Sequence, residues 1–237
     1  FPATAVKVQS ELNMKTGPAF DIQAVCAGFI YALKVASSIL QTSNLDKAIV
    51  IGSESFSKIL DWNDRSTSVL FGDGAGAVIL EKYKNFNNWG LLASNFYSDG
   101  NFSNILCTDN GPGTDSKVGK VRMNGKEVFK HAVEKLSSSL KDVIKDANLC
   151  VDDIDYLIPH QANIRIIDSL SKKLNFPKEK IINTVDIHAN TSAASIPLAL
   201  SHAVDNNIIK NGDIIAMNAI GGGLSWGASV IKFGKPN

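Results

Sequence analysis

Three polar residues stand at the ends of strand-like runs, where α/β proteins gather their chemistry: Cys26, His160 and Asn190. Cys26 lies between a strand pattern and a helix pattern, at a sharp turn flanked by small residues in Val25-Cys26-Ala27-Gly28. A thiol at a helix N-terminus feels the positive end of the dipole, so a lowered thiol pKa is expected there. The alternative for a lone cysteine is a buried, inert side chain. His160 follows an apolar run and opens Pro159-His160-Gln161-Ala162-Asn163 ahead of a helix pattern. Asn190 sits in His188-Ala189-Asn190-Thr191-Ser192 after another short apolar run, and taken alone it reads as a helix N-cap. Together the three make a Cys/His/Asn constellation, which points to nucleophilic catalysis on an acyl group. Cys107 and Cys150 have no comparable setting and read as structural.

Two glycine-rich stretches need separate readings. GDGAGA at 72–77 lacks the GxGxxG spacing and precedes no helix, so turns and tight packing explain it better than a dinucleotide site. Gly221-Gly222-Gly223 lies between two strand patterns. A backbone without side chains can approach a substrate, and its N–H groups can serve an oxyanion. A plain hairpin turn is the competing account.

The elements that must position these residues alternate between strand and helix periods, the signature of an α/β protein. Helices are expected over 3–14, 29–41, 127–149, 163–174 and 192–206. Strands are expected over 18–23, 47–54, 74–83, 91–99, 154–159, 180–185, 213–221 and 226–233. The run at 47–54 is continuously apolar, as in a strand covered on both faces. In 127–149, Val128, Ala132, Leu136, Leu140, Val143 and Ile144 recur at helical steps. Residues 100–120, with Gly111-Pro112-Gly113, read as loop. Two α/β units, 1–84 and 85–237, are the simplest division.

The 237 residues carry 24 Lys or Arg against 23 Asp or Glu, a net charge of +1, so no whole-molecule field favours nucleic acid or a membrane. No unbroken apolar window reaches the roughly 18 residues of a membrane span. Three widely spaced cysteines fit neither a disulfide framework nor a zinc pattern, and a reducing compartment is expected. The chain starts without Met, on residues that read as the interior of something longer, so a first segment is expected to be absent.

AFDIQAVCAGFIYAL, DRSTSVLFGDGAGAV, EVFKHAV, PHQANIRI, NTSAAS and GGGLSWG resemble, in this order, β-ketoacyl-acyl carrier protein (ACP) synthase III. That family is the initiating condensing enzyme of type II fatty acid synthesis. The resemblance runs nearly end to end. It implies a thiolase-like fold, two similar α/β halves in five layers, with the chain beginning well inside the first half. It implies that an acyl-CoA starter, acetyl-CoA for preference, is condensed with malonyl-ACP to give 3-oxoacyl-ACP, CoA and CO2. Cys26 would take the acyl group, and His160 and Asn190 would handle malonyl-ACP. The backbone N–H groups of Cys26 and Gly222 would form the oxyanion hole. Arg65 would pack on the CoA adenine, Gly125 and Asn163 would border the pantetheine tunnel, and Phe1 would reach across a homodimer into the partner's acyl pocket. Lys130, Arg165, Lys172 and Lys173 would dock ACP. No metal or resident cofactor is implied, because the substrates bring CoA and the phosphopantetheine arm. A bacterial cytoplasm or a plastid-type organelle is the implied compartment.

The chain departs from the family pattern in two places. Ala189 precedes Asn190 where Gly is common, and Lys126 follows Gly125 where Asn is common. The absent segment normally supplies an aromatic that sandwiches the adenine with Arg65. Two other readings share the constellation, a starter-unit ketosynthase of polyketide or alkylquinolone synthesis and a thiol acyl hydrolase; a third is a non-catalytic partner subunit, a class that typically lacks the nucleophile present here.

Overall fold

The computed structural model of the chain describes residues 1–83, 88–111 and 118–236. The proposed division between 84 and 85 and the Pro112-Gly113 part of the expected loop lie outside them.

The order of elements is α1 (Thr4–Glu11), α2 (Gly28–Thr42), β1 (Lys47–Glu54), α3 (Arg65–Ser68), β2 (Gly74–Glu81), β3 (Gly90–Ser98), β4 (Leu106–Thr108), β5 (Val121–Met123), α4 (Gly125–Asp146), β6 (Tyr156–Pro159), α5 (Ile164–Leu174), α6 (Val185–His188), α7 (Ser195–Asp205), β7 (Ile214–Gly221) and β8 (Ser225–Lys232). The class is mixed α/β, as the alternating periods imply. Strands β3, β8, β7 and β6 form one sheet in that order, with β6 and β7 parallel and the other neighbours antiparallel. Strands β1 and β2 pair antiparallel in a separate ribbon.

Helices α2 and α7 lie between the ribbon and the larger sheet. Their Phe29, Ile30, Leu33, Ile196, Ala199 and Leu200 share one core with Val50 of β1 and Ile215, Met217 and Ala219 of β7. By length and composition, residues 25–42 could cross a membrane; in this fold Ala27, Phe29, Ile30 and Leu33 of that stretch are buried in the core. On the far face of the sheet, α4 and α5 bury Leu136, Leu140, Val143, Ile166 and Leu170 against Ala216, Ala228 and Val230. The 3.6-residue period of α4 is thus the stripe that meets the sheet. Asn124 caps its start by accepting from the Glu127 N–H, two residues ahead of the expected boundary.

Close backbone approach sets the ribbon on the helices. A Cβ on Gly52 would stand 2.2 Å from the Ala193 carbonyl oxygen, and one on Gly76 would stand 2.9 Å from the Leu198 nitrogen. Only one face of the ribbon is packed in this way. Ile49, Ile51 and Ile79 point outward and are exposed, so β1 is not covered on both faces by the described residues.

Three further expectations change. Residues 18–23 form no strand, because that stretch pairs with no other, and Asp21 instead accepts the N–H groups of Thr4 and Ala5 at the start of α1. Residues 180–185 make one bridge, Ile181 to Leu157, before the chain turns into the four-residue helix α6. The expected loop contains β4, which pairs with β5 into a short hairpin tied by Arg122 to Asp61 and Asp109.

Backbone strain gathers beside the singled-out residues. Val25, Ala189 and Ser192 have φ of 49°, 57° and 52°, in a region that L-residues other than Asn and Asp seldom enter. Ala189, with ψ of −166°, occupies a conformation that is essentially reserved for glycine. That is the physical content of the Ala-for-Gly departure before Asn190. Ala189→Gly should therefore raise stability by about 1 kcal/mol, strain relief outweighing the added chain entropy. Thermal unfolding of the variant checks this, and a lower Tm would contradict it.

Candidate active site

Cys26 occupies a single helical turn, Val25–Ala27, that leads directly into α2. The strained Val25 turns the chain sharply before it, as expected, but the segment that leads into the turn is not the expected strand. Gly221, at the end of β7, lies against this turn: a Cβ there would stand 2.6 Å from the Cys26 nitrogen. Gly222 faces elsewhere, since its Cβ would meet the carbonyl oxygen of Leu106 at 2.5 Å. The glycine run is thus held against both the cysteine turn and the β4–β5 hairpin.

His160 follows β6, where its N–H donates to the Asn218 carbonyl at 2.7 Å. The ring Nδ1 lies 2.7 Å from Ser195 Oγ. That oxygen also accepts the Gln161 N–H, and donation of its own hydrogen to Nδ1 is the arrangement that goes with the imidazole proton on Nε2. Gln161 is fully buried and braces the region: its Nε2 donates to the Pro159 and Ile182 carbonyls, and its Oε1 accepts the Thr184 N–H.

Asn190 is reached through α6 rather than from a strand. Its backbone joins the segment after α3, donating to Leu70 O at 2.9 Å and accepting from Gly72 N at 3.0 Å. Phe71 between them stacks on Phe56 with ring centroids 4.4 Å apart. The side-chain Oδ1 accepts the Ser192 N–H at 3.0 Å, a local turn bond; the N-cap of the turn 192–194 is Thr191 rather than Asn190. The amide Nδ2 keeps its hydrogens unengaged among the described residues.

All three residues are buried, with 3%, 2% and 5% of their surface exposed. Burial governs their protonation. It pushes the Cys26 thiol up to about 12, and the charge of Glu54 adds to the rise. The lowered thiol pKa expected from the helix end is therefore not found, because desolvation outweighs it. Burial alone brings His160 down to about 4, so the imidazole is neutral across the physiological range. Glu54, half-buried at the end of β1, is also raised, by burial first, with the Ala193 N–H at 3.5 Å opposing the rise.

The remaining predicted residues lie toward solvent. Arg65 begins α3, exposed and without an ion pair among the described residues, three positions after the exposed Trp62. Gly125 begins α4 with only Met123 near its missing Cβ, at 3.9 Å. Asn163 caps α5 through Oδ1, which accepts the Arg165 N–H at 2.8 Å. Arg165, Lys172 and Lys173 are exposed on α5 and Lys130 is exposed on α4. Phe1 projects into solvent ahead of α1, a helix with no buried residue. Glu54, Ser192 and Ser195 were not singled out by the sequence reading. The available signals were a carboxylate closing an apolar strand and hydroxyls inside the NTSAAS motif.

Known proteins give this arrangement a context. Residues 20–100 match the family model described as 3-oxoacyl-[acyl-carrier-protein (ACP)] synthase III, and residues 144–233 match the one for its C-terminal part. Among curated relatives, β-ketoacyl-[acyl-carrier-protein] synthase III of Wolbachia pipientis wMel is 54% identical, over 98% of this chain and 73% of its own length. The crystal structure of 3-oxoacyl-[acyl-carrier-protein] synthase III from Aquifex aeolicus VF5 superposes with a TM-score of 0.92 at 44% identity, covering 98% of this chain and 73% of that one. The priming β-ketosynthase of the R1128 polyketide pathway superposes equally well, with a TM-score of 0.92 at 31% identity, covering 100% and 72%.

The lowered His160 pKa has a consequence for stability. Between about pH 4 and the ordinary histidine value near 6.5, the unfolded chain binds a proton that the folded one refuses. Stability therefore falls as the pH drops through that window, by about 3 kcal/mol in all. Urea unfolding across pH 4–7 should show this slope in the wild type and its loss in His160→Gln. Parallel curves for the two proteins would contradict the assignment.

Proposed function

The chain belongs to the 3-oxoacyl-[acyl-carrier-protein] synthase III family, and from that membership we propose how its own residues carry the reaction. The enzyme is an acyltransferase that condenses an acyl-CoA with malonyl-ACP to give 3-oxoacyl-ACP, CoA and CO2, initiating fatty acid synthesis. Acetyl-CoA is the proposed starter.

Cys26 is the proposed nucleophile. Its sulfur attacks the thioester carbonyl, and the developing oxyanion is taken by the backbone N–H groups of Cys26 and Gly222. Removing one such donor typically costs about 10²–10³ in rate. Decarboxylation of malonyl-ACP then leaves an enolate, whose oxygen needs donors that bring no negative charge of their own. The observation that carries the reading is that His160 is buried and neutral with Nδ1 on the Ser195 hydroxyl, while Asn190 has its Oδ1 engaged: with the Nε2–H tautomer, the imidazole and the Asn190 Nδ2 amide each offer one such donor. The enolate carbon attacks the acyl-Cys26 thioester, forming the carbon–carbon bond and releasing the sulfur.

Around this centre we place the CoA adenine on Arg65 and the pantetheine arm beside Gly125 and Asn163. The exposed bases Lys130, Arg165, Lys172 and Lys173 would receive the acidic carrier protein. Phe1 would enter the partner's acyl pocket in a homodimer. Two similar halves in five layers complete the proposed architecture, and the outward apolar face of Ile49, Ile51 and Ile79 is the surface that a fifth layer would cover. A bacterial cytoplasm or plastid-type organelle is the proposed compartment. The likeness to a polyketide priming synthase favours, as a second reading, a starter-unit ketosynthase with the same chemistry and another carrier protein.

Separating the two half-reactions tests the roles. Cys26→Ala should abolish transfer from acetyl-CoA while malonyl-ACP decarboxylation persists. Arg165→Glu should leave acyl loading nearly unchanged and raise KM for malonyl-ACP roughly tenfold, equivalent to about 1.4 kcal/mol. Equal losses in both half-reactions for Arg165→Glu, or acyl transfer by Cys26→Ala, would overturn the assignment.

A further inference from the structure

Ser195 is the first residue of α7, in ordinary helical backbone with φ of −63° and ψ of −40°, and it is buried between the equally buried Ala194 and Ile196. Its Oγ lies 2.7 Å from His160 Nδ1 and accepts the Gln161 N–H at 3.3 Å. Among the described residues that oxygen makes no other hydrogen bond. The His160 backbone is tied separately, its N–H donating to the Asn218 carbonyl at 2.7 Å and its own carbonyl accepting the Ala162 N–H at 2.8 Å. Only Nε2 of the ring meets no partner among the described residues.

Counting hydrogens decides where the ring carries its proton. A hydroxyl has one hydrogen to give and two lone pairs to accept with. If Nδ1 bore the proton, the Ser195 oxygen would accept twice and its own hydrogen would face no acceptor in a buried place. With Nδ1 bare, the hydroxyl donates to it, and Gln161 N–H, Oγ and Nδ1 are all paired. A buried donor without a partner is the costlier arrangement, so the second one prevails and the proton sits on Nε2.

A carboxylate beside Nδ1 would stabilise the imidazolium and make Nε2 a base. The hydroxyl brings no charge, and burial already keeps the ring neutral. An enolate oxygen needs a donor at Nε2 rather than a base. The same short segment holds the other donor: Asn190 precedes Ser195, and its Oδ1 is engaged by the Ser192 N–H. Residues 190–195 thus carry one donor and orient the second.

We infer that Ser195 is a positioning residue for the condensation, its hydroxyl donating to His160 Nδ1 and so presenting Nε2–H to the enolate oxygen formed from malonyl-ACP. The inference rests on the assignment of His160 as an enolate donor. Ser195 acts through the ring and takes no part in the bond changes.

Imidazole nitrogen chemical shifts of the histidine-labelled protein at neutral pH read the tautomer, and His160→Gln identifies which of the four histidine signals is that of His160. The wild type should show Nε2 protonated and Nδ1 bare. Ser195→Ala should lose that preference and populate the Nδ1–H form. The same variant should slow malonyl-ACP decarboxylation about tenfold, while acetyl transfer from acetyl-CoA to Cys26 changes by no more than about twofold. Ser195→Thr, which keeps a hydroxyl, should keep the wild-type tautomer and most of the decarboxylation rate. A wild-type ring protonated on Nδ1, or a tautomer or decarboxylation rate unchanged in Ser195→Ala, would overturn the inference. Equal losses in both half-reactions would also overturn it, by marking Ser195 as a packing residue. A wild type with the expected tautomer that fails to decarboxylate malonyl-ACP would leave the hold of the hydroxyl on His160 standing and refute the reaction assigned to the ring instead.

Discussion

Desolvation is the constraint on which the site depends. Cys26, His160 and Glu54 gather where the helical layer meets the ribbon and the larger sheet, and burial drives each toward its uncharged form. A thiol pushed up to about 12 and an imidazole brought down to about 4 describe a free enzyme in which Cys26 and His160 are both uncharged. Charge develops only as substrate arrives. Donors fixed beforehand then act in a medium that screens them poorly, which is where they are worth most.

Holding those donors requires backbones closer together than side chains allow. Gly52 against Ala193 and Gly221 against Cys26 bring the ribbon, the sheet and two turns into direct contact. The Asn190 backbone is clasped by Leu70 and Gly72, and His160 by Asn218, so each functional side chain is fixed from a different element. The strained φ values at Val25, Ala189 and Ser192 fall at these junctions, where the surrounding contacts hold the backbone in place.

Much of this was legible from sequence because it follows from period and position. The apolar stripes of α2, α4 and α5, the buried run of β7, the sharp turn at Cys26 and the strand end at His160 are local signals. What escaped depends on contacts between distant segments. Residues 180–185 have strand-like composition, yet only Ile181 and Ile182 reach Leu157 before Gln161 claims the Thr184 N–H. The β4–β5 hairpin is three residues a side, too short to show a period. The thiol pKa was misjudged because a helix end can be read from sequence, whereas the burial that outweighs it cannot. Ala193 and Glu54 lie 139 positions apart, and nothing local marks them as neighbours.

The central claim is that Cys26 alone carries the acyl group between the two substrates. Peptide mass spectrometry after incubation with acetyl-CoA, and again after adding malonyl-ACP, tests it most directly. The account predicts an acetyl adduct on the Cys26 peptide that disappears as 3-oxobutanoyl-ACP forms. An adduct that decays to free acetate without malonyl-ACP would contradict it and indicate a hydrolase.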